Sequence, residues 1–206
     1  MGPIYILFKN PLAFFLLMIP LLYSIIIHEV SHGWVAEKMG DSTARWLGRL
    51  SLHPKSHLDP IGTLMLLFFG FGWAKPVPVN FHNVKDHRKG LIWISAAGPL
   101  SNIAIAFLAM FILKFGQFSP WSIETTTLLT IARINIILAS FNLIPIPPLD
   151  GSKILMGLTS ENIRYQLEKL EPYGMFIIIG LLFLGILNPL IYLFEAIIAS
   201  VINLII

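Results

Sequence analysis

Cysteine is absent from the chain, which excludes disulfides and thiolate metal ligands and leaves histidine and carboxylate as the only strong donors for a metal such as zinc. Charge is scarce as well. Only 12% of the 206 residues are Asp, Glu, Lys or Arg against 56% hydrophobic, too little polar surface to coat a soluble globule. An all-α polytopic membrane protein is therefore expected, with about five or six transmembrane helices. Linkers, low-complexity tracts and internal repeats are missing too, so residues 1–206 read as a single membrane-embedded domain. The N-terminal MGPIYILFKNPLAFF has no basic n-region and no small-residue cleavage site, so the first helix is expected to be retained. The net charge of +3 is spread over short loops between apolar runs. That pattern writes membrane topology and makes no nucleic-acid surface.

Against this background one polar motif stands inside an apolar run: His28-Glu29-Val30-Ser31-His32. Residues four apart share a helix face, so His28 and His32 can offer two imidazoles to one metal while Glu29 flanks the same site as a candidate base for water. Phe14 to Ile27 carry no charge, which places this chemistry within lipid. A charged residue at the centre of a membrane helix costs about 2.5–3.5 kcal/mol, so buried ionisable groups there point to function. A third ligand is needed, and Asp150, in the Asp-Gly turn of FNLIPIPPLDGSKIL, is the best donor in the chain.

Taken in order, the first helix is expected from Pro11 to about Met39, with Pro20 as a kink. Ile61–Gly72 would span only about 18 Å as a helix, too short to cross, so a re-entrant segment is expected there. It is followed by the extended WAKPVPVNF, in which Pro76 and Pro78 forbid helix; the re-entrant and extended parts together cover about 61–80. Spans follow at Leu91–Leu113 and Trp121–Leu143. Gly98 in the former reads as a helix-packing residue, and Asn102 less firmly so. Arg133 in the latter needs a partner or a water path, and Glu195 is the candidate. Thr159–Leu170 reads as an amphipathic interfacial helix, and Tyr173–Ile206 as two short spans in a hairpin broken at Asn188-Pro189. His53, His57, His82 and His87 read as loop residues, with His57 organising the re-entrant turn. If the 61–72 segment does not cross, eleven Lys and Arg fall on one side against Lys9 and Lys114 on the other, which makes the first side cytoplasmic. His28, His32 and Asp150 approach that side.

HEVSH together with FNLIPIPPLDG resembles the site-2 protease family of intramembrane zinc metalloproteases. GRLSLHPKSHLDPIGT, GWAKPVPVN, AAGPLSN and LEPYG resemble its minimal prokaryotic branch, and the likeness runs from about Ser24 to Gly174. The resemblance implies one Zn2+ per chain held by His28, His32 and Asp150, with Glu29 as catalytic base. It also implies Asn142, eight residues before the aspartate, as a substrate or oxyanion contact. The Lys75–Asn80 segment would line the substrate groove, Val77 and Val79 pairing with an unwound substrate strand. The expected partners are a transmembrane protein or peptide substrate and the bilayer of a cell membrane; a homo-oligomer is left open. Unlike many relatives, the chain shows no span before the metal helix and no PDZ-like insertion. A metal-binding scaffold without proteolysis and a metal or proton transporter are the alternatives; the intact Glu29 argues against the first, and metal flux in proteoliposomes with no peptide cleavage would favour the second.

Overall fold

The computed structural model describes residues 2–206. A short helix α1 (Ile4–Lys9) leads into α2 (Pro11–Lys38), which begins where the Asn10 side chain accepts a hydrogen bond from Ala13 N and Pro11 occupies the first turn. A side-chain cap of this kind is worth about 1 kcal/mol. After a single turn, α3 (Thr43–Trp46), comes α4 (Pro60–Phe69), capped by Asp59 through Gly62 N at 2.8 Å and ended by Gly70 at φ +77°. The longest element, α5 (His87–Phe115), is capped by Asp86. Then follow α6 (Ile123–Asn142), capped by Ser122, α7 (Asp150–Leu158), α8 (Glu161–Leu170), α9 (Gly174–Phe183) and α10 (Asn188–Ile205). Among the described residues strand-type pairing is limited to one isolated antiparallel bridge, Leu58 to Ala74.

Four helices, α2, α5, α6 and α10, are long and apolar enough to cross a membrane. The protein itself buries only 11–33% of their most apolar windows, so most of their hydrophobic surface has lipid as its natural solvent. The chain is thus an all-α multi-pass membrane protein. Within the expected C-terminal hairpin only α10 has crossing length. The ten-residue α9 spans about 15 Å, and the break falls at Leu184–Leu187, where Gly185 takes φ +70°. The ten-residue α4 matches the expected short segment. The expected Arg133–Glu195 pair does not form: Arg133 is exposed and makes no ion pair among the described residues. Its helix turns Ala132, Ile134, Asn135 and Ala139 inward, which leaves Arg133 on the outer face.

α5 lies at the centre, packed against α2, α6 and α7. Ala106 of α5, Ala139 of α6 and Ile198 and Ile202 of α10 make one apolar cluster, and small residues on α5 and α6 let those helices approach closely. Residues 74–80 form no helix and run past the C-terminal part of α2, pinned along their length. Lys75 N donates to His57 O at 2.8 Å, Arg49 donates to the Lys75 and Pro76 carbonyls, and Asn80 N donates to Asp41 Oδ2 at 2.7 Å. His57 is buried with its Nε2 2.6 Å from Ser51 O, the loop-organising role expected of it.

The fully buried Asp41 also accepts from Thr43 N, Thr43 Oγ1 and Asn83 Nδ2. Burial pushes its carboxyl up, and the hydrogen bonds from Thr43, Asn83 and Asn80 together outweigh burial and hold it below the ordinary aspartate value. Its stabilising contribution is therefore complete above the usual carboxylate range and lost as pH falls through the lowered value. In chelator-treated protein, Asp41→Asn is expected to cost about 1.5–3 kcal/mol at neutral pH. It should also flatten the decline of Tm on acidification below about pH 4, read by thermal unfolding of both proteins from pH 6 downward.

Candidate metal centre

His28 and His32 lie ten and six residues before the end of α2, about 15 and 9 Å along its axis, and both are buried. Their rings stand edge to face with centroids 4.7 Å apart. Each Nδ1 meets an acceptor: His28 Nδ1 donates to Asn102 Oδ1 at 2.6 Å, and His32 Nδ1 donates to the Ile94 carbonyl at 2.7 Å. A carbonyl can only accept, so a neutral ring carries its hydrogen on Nδ1 and turns the Nε2 lone pair inward.

Asp150 opens α7 opposite these lone pairs. Gly151 lets α7 begin hard against the end of α6; a Cβ there would stand 2.6 Å from Ile144 O. Asp150 Oδ2 lies 3.1 Å from His28 Nε2 and 3.2 Å from His32 Nε2, and the two Nε2 atoms are 3.1 Å apart. The carboxylate oxygen is buried and accepts no hydrogen bond. One proton could bridge a single imidazole to it and would leave the second Nε2 facing an acceptor. A divalent cation satisfies all three at once. Tetrahedral zinc with bonds of about 2.0–2.2 Å separates its ligand atoms by about 3.3 Å, close to the spacing seen. His28, His32 and Asp150 are the one such donor group among the described residues. His53, His57, His82 and His87 stand apart from it, as expected.

A cavity of about 340 Å³ opens onto these atoms, walled by Glu29, Val77, Val79, Ser95, Asn142 and Lys153 among others. Glu29 Oε2 accepts from Val77 N at 2.9 Å, and Asn142 donates to Leu138 O at 2.9 Å within its own helix. Val77 and Val79 reach the cavity. Lys75 and Asn80, expected in the same groove, do not line this cavity; their backbone N–H groups tie the segment to His57 and Asp41. Past Phe81 and Lys153 the wall is shared with a second cavity of about 350 Å³. Lys153 Nζ lies 6.0 Å from the Phe81 ring centroid between the two.

Two features escape the sequence reading. Ile94 offers a backbone carbonyl, which leaves no residue-type signal. Gly98 is more than a packing residue: a Cβ there would come within 2.6 Å of His28 Nε2 and closer still to His32 Nε2. The AAGPLSN stretch was the available signal. Next to it Pro99 cannot donate to Ser95 O, so that carbonyl loses its helical partner at the cavity wall. Gly98→Ala would drive a methyl group into both imidazole rings, 2.5 Å from His28 Cε1 and closer still to His32 Nε2, and force them out of the ligating arrangement. It is expected to lower zinc content at least tenfold by elemental analysis and to lower Tm of the metal-free protein, because both buried rings are held at Nδ1 and cannot yield freely.

The profile of peptidase family M50 matches residues 116–187. "Putative zinc metalloprotease YwhC" of Bacillus subtilis (strain 168) is 41% identical over 174 residues, 81% of this chain and 79% of that protein. "Putative zinc metalloprotease MJ0611" of Methanocaldococcus jannaschii is 32% identical over 148 residues, 70% of this chain and 71% of that protein. "Zinc metalloprotease MJ0392" of the same organism is 29% identical over 158 residues, 76% of this chain but 38% of its own length. No solved structure matches the chain. With two histidines and an aspartate spaced for zinc in a multi-pass helical protein, and relatives that share most of its length, the chain belongs to peptidase family M50, the site-2 protease family, and is a zinc metalloprotease.

Proposed function

We propose that the protein hydrolyses peptide bonds in or near the transmembrane segments of membrane-protein substrates. His28, His32 and Asp150 hold the zinc, Glu29 is the catalytic base, and the site faces the cytoplasmic side of the cell membrane. The observation that carries this reading is the cavity in which the donor group, Glu29 and the edge of the extended segment meet at the level of a membrane span. The count of Lys and Arg, eleven against two, supports the orientation.

Zinc, when bound, supplies the Lewis acid that activates water and polarises the scissile carbonyl. Glu29 takes the proton of the attacking water and delivers it to the leaving amine. Its carboxylate is already oriented by Val77 N at 2.9 Å. Asn142, two turns along α6 from Asn135, donates its amide to the developing oxyanion once it leaves Leu138 O.

A helical substrate hides its carbonyls in its own hydrogen bonds and must unwind to be cut, which leaves polar groups bare in an apolar medium. Pairing with an extended segment compensates them. Pro76 and Pro78 carry no N–H, so between 75 and 79 only Lys75, Val77 and Val79 can donate. The first is taken by His57 and the second by Glu29, while Val79 N has no acceptor among the described residues. Val79 N is therefore the free donor for a substrate carbonyl.

Purified protein reconstituted with a single-pass reporter is expected to cleave it in a zinc-dependent, chelator-sensitive way. Glu29→Gln should retain zinc and lower cleavage by at least a hundredfold, in line with the loss of a general base; full cleavage with zinc still bound would refute the assignment. Val79→Pro should leave zinc content unchanged and lower cleavage of the reporter about tenfold, the worth of roughly one hydrogen bond, measured as kcat/KM.

A further inference from the structure

We propose that Asn102 is a positioning residue for the zinc centre, itself set by Asn135 and Ser24. Together they form a one-way relay of hydrogen bonds running from α6 through α5 to His28. The inference rests on His28, His32 and Asp150 being the zinc ligands. Asn102 and Asn135 have no solvent exposure and Ser24 has 4%. Asn135 Nδ2 donates to Ser24 Oγ and to Ile131 O, each at 2.8 Å, and Asn102 Nδ2 donates to Asn135 Oδ1 at 2.8 Å and to Ser24 O at 3.4 Å. Asn102 Oδ1 then accepts from His28 Nδ1 at 2.6 Å.

The order of the atoms admits one arrangement. Ile131 O can only accept, so the amino group of Asn135 must face it, and its oxygen faces Asn102. That oxygen demands the amino group of Asn102, as does the carbonyl of Ser24. Only the oxygen of Asn102 is left for His28, whose Nδ1 must then bear the hydrogen and whose Nε2 is left bare. Were the Asn102 amide to turn over, its amino group would face Nδ1 and favour the tautomer with hydrogen on Nε2, where the cation binds. The partner of a ligating histidine commonly fixes its ring and tautomer in this way. Hydrogen bonds between membrane helices return little stability on average, so gluing the bundle together is a weak reason for two wholly buried amides aligned on one ligand.

His32 needs no such device, because its partner is the Ile94 carbonyl, whose position is set by the backbone of α5. Control over the centre by side chains therefore sits on the His28 half, and it reaches Asn135, which contacts neither ring.

The test uses the full chain in detergent, wild type and Asn102→Leu, Asn102→Asp, Asn135→Leu and His32→Ala. Zinc affinity is read by chelator competition, ligand geometry by the visible spectrum of the Co2+-loaded protein, and stability by Tm of the metal-free protein. Asn102→Leu and Asn135→Leu are expected to raise the zinc Kd by about 10–100-fold and to change the Co2+ spectrum. Asn102→Asp, which keeps an acceptor for His28 Nδ1 but sets its second oxygen against Asn135 Oδ1 and Ser24 O, should fall between wild type and Asn102→Leu. Wild-type zinc affinity and an unchanged Co2+ spectrum in Asn135→Leu, with only Tm lowered, would overturn the relay and leave helix packing as its role. Should Asn102→Leu fail to fold, Asn135→Leu decides. Undiminished zinc binding in His32→Ala would refute the ligand assignment instead, a separate failure.

Discussion

Three hydrogen-bond acceptors, two imidazole nitrogens and a carboxylate oxygen, are held about 3.1 Å apart inside an apolar bundle. Left to themselves they repel, and in a medium with little water to screen them the repulsion is strong. The arrangement persists only because four helices converge to impose it. α2 carries both histidines, α5 orients their rings, α6 backs α5, and α7 swings Asp150 in from beyond the proline-rich turn. Two glycines make the convergence sterically feasible. Gly98 keeps the floor of the site clear, and Gly151 brings α7 against the end of α6.

Under the proposed function, the same geometry would let a hydrolytic site work below the lipid headgroups. Water, a base and backbone partners for an unfolded substrate must all be supplied where the solvent offers none. The extended segment 74–80 would meet the last need, and it is tied down by Arg49, His57 and Asp41. Such anchoring turns an irregular stretch into a fixed template without a sheet behind it. The cavity beyond Phe81 and Lys153 extends the polar volume toward α8.

Much of this could be read from the residues alone, for identifiable reasons. Uninterrupted apolar runs and their flanking charges revealed the spans, since lipid leaves a helix no alternative. The H-E-x-x-H spacing places two rings on one face whatever the tertiary context, and Asp150 was the remaining acidic group at the right depth. What escaped depends on contacts between distant helices. Ile94 acts through its carbonyl, Gly98 through the side chain it lacks, and Arg133 points outward because its neighbours Ala132, Ile134 and Asn135 occupy the inner face. Lys75 and Asn80 belong to the right segment, but their N–H groups serve as anchors, a distinction only the hydrogen-bond partners could make.

The alternation of proline with donor-bearing residues from 75 to 79 carries a consequence for the crowded bilayer. An open strand in lipid would ordinarily invite another copy of itself, and growth into a ribbon would follow. With two of its five residues lacking an N–H and two of the other three N–H groups already occupied, this stretch keeps a single donor for pairing with a second molecule. That donor belongs to Val79, a residue of the cavity wall, so an incoming chain would meet it beside His28 and Asp150.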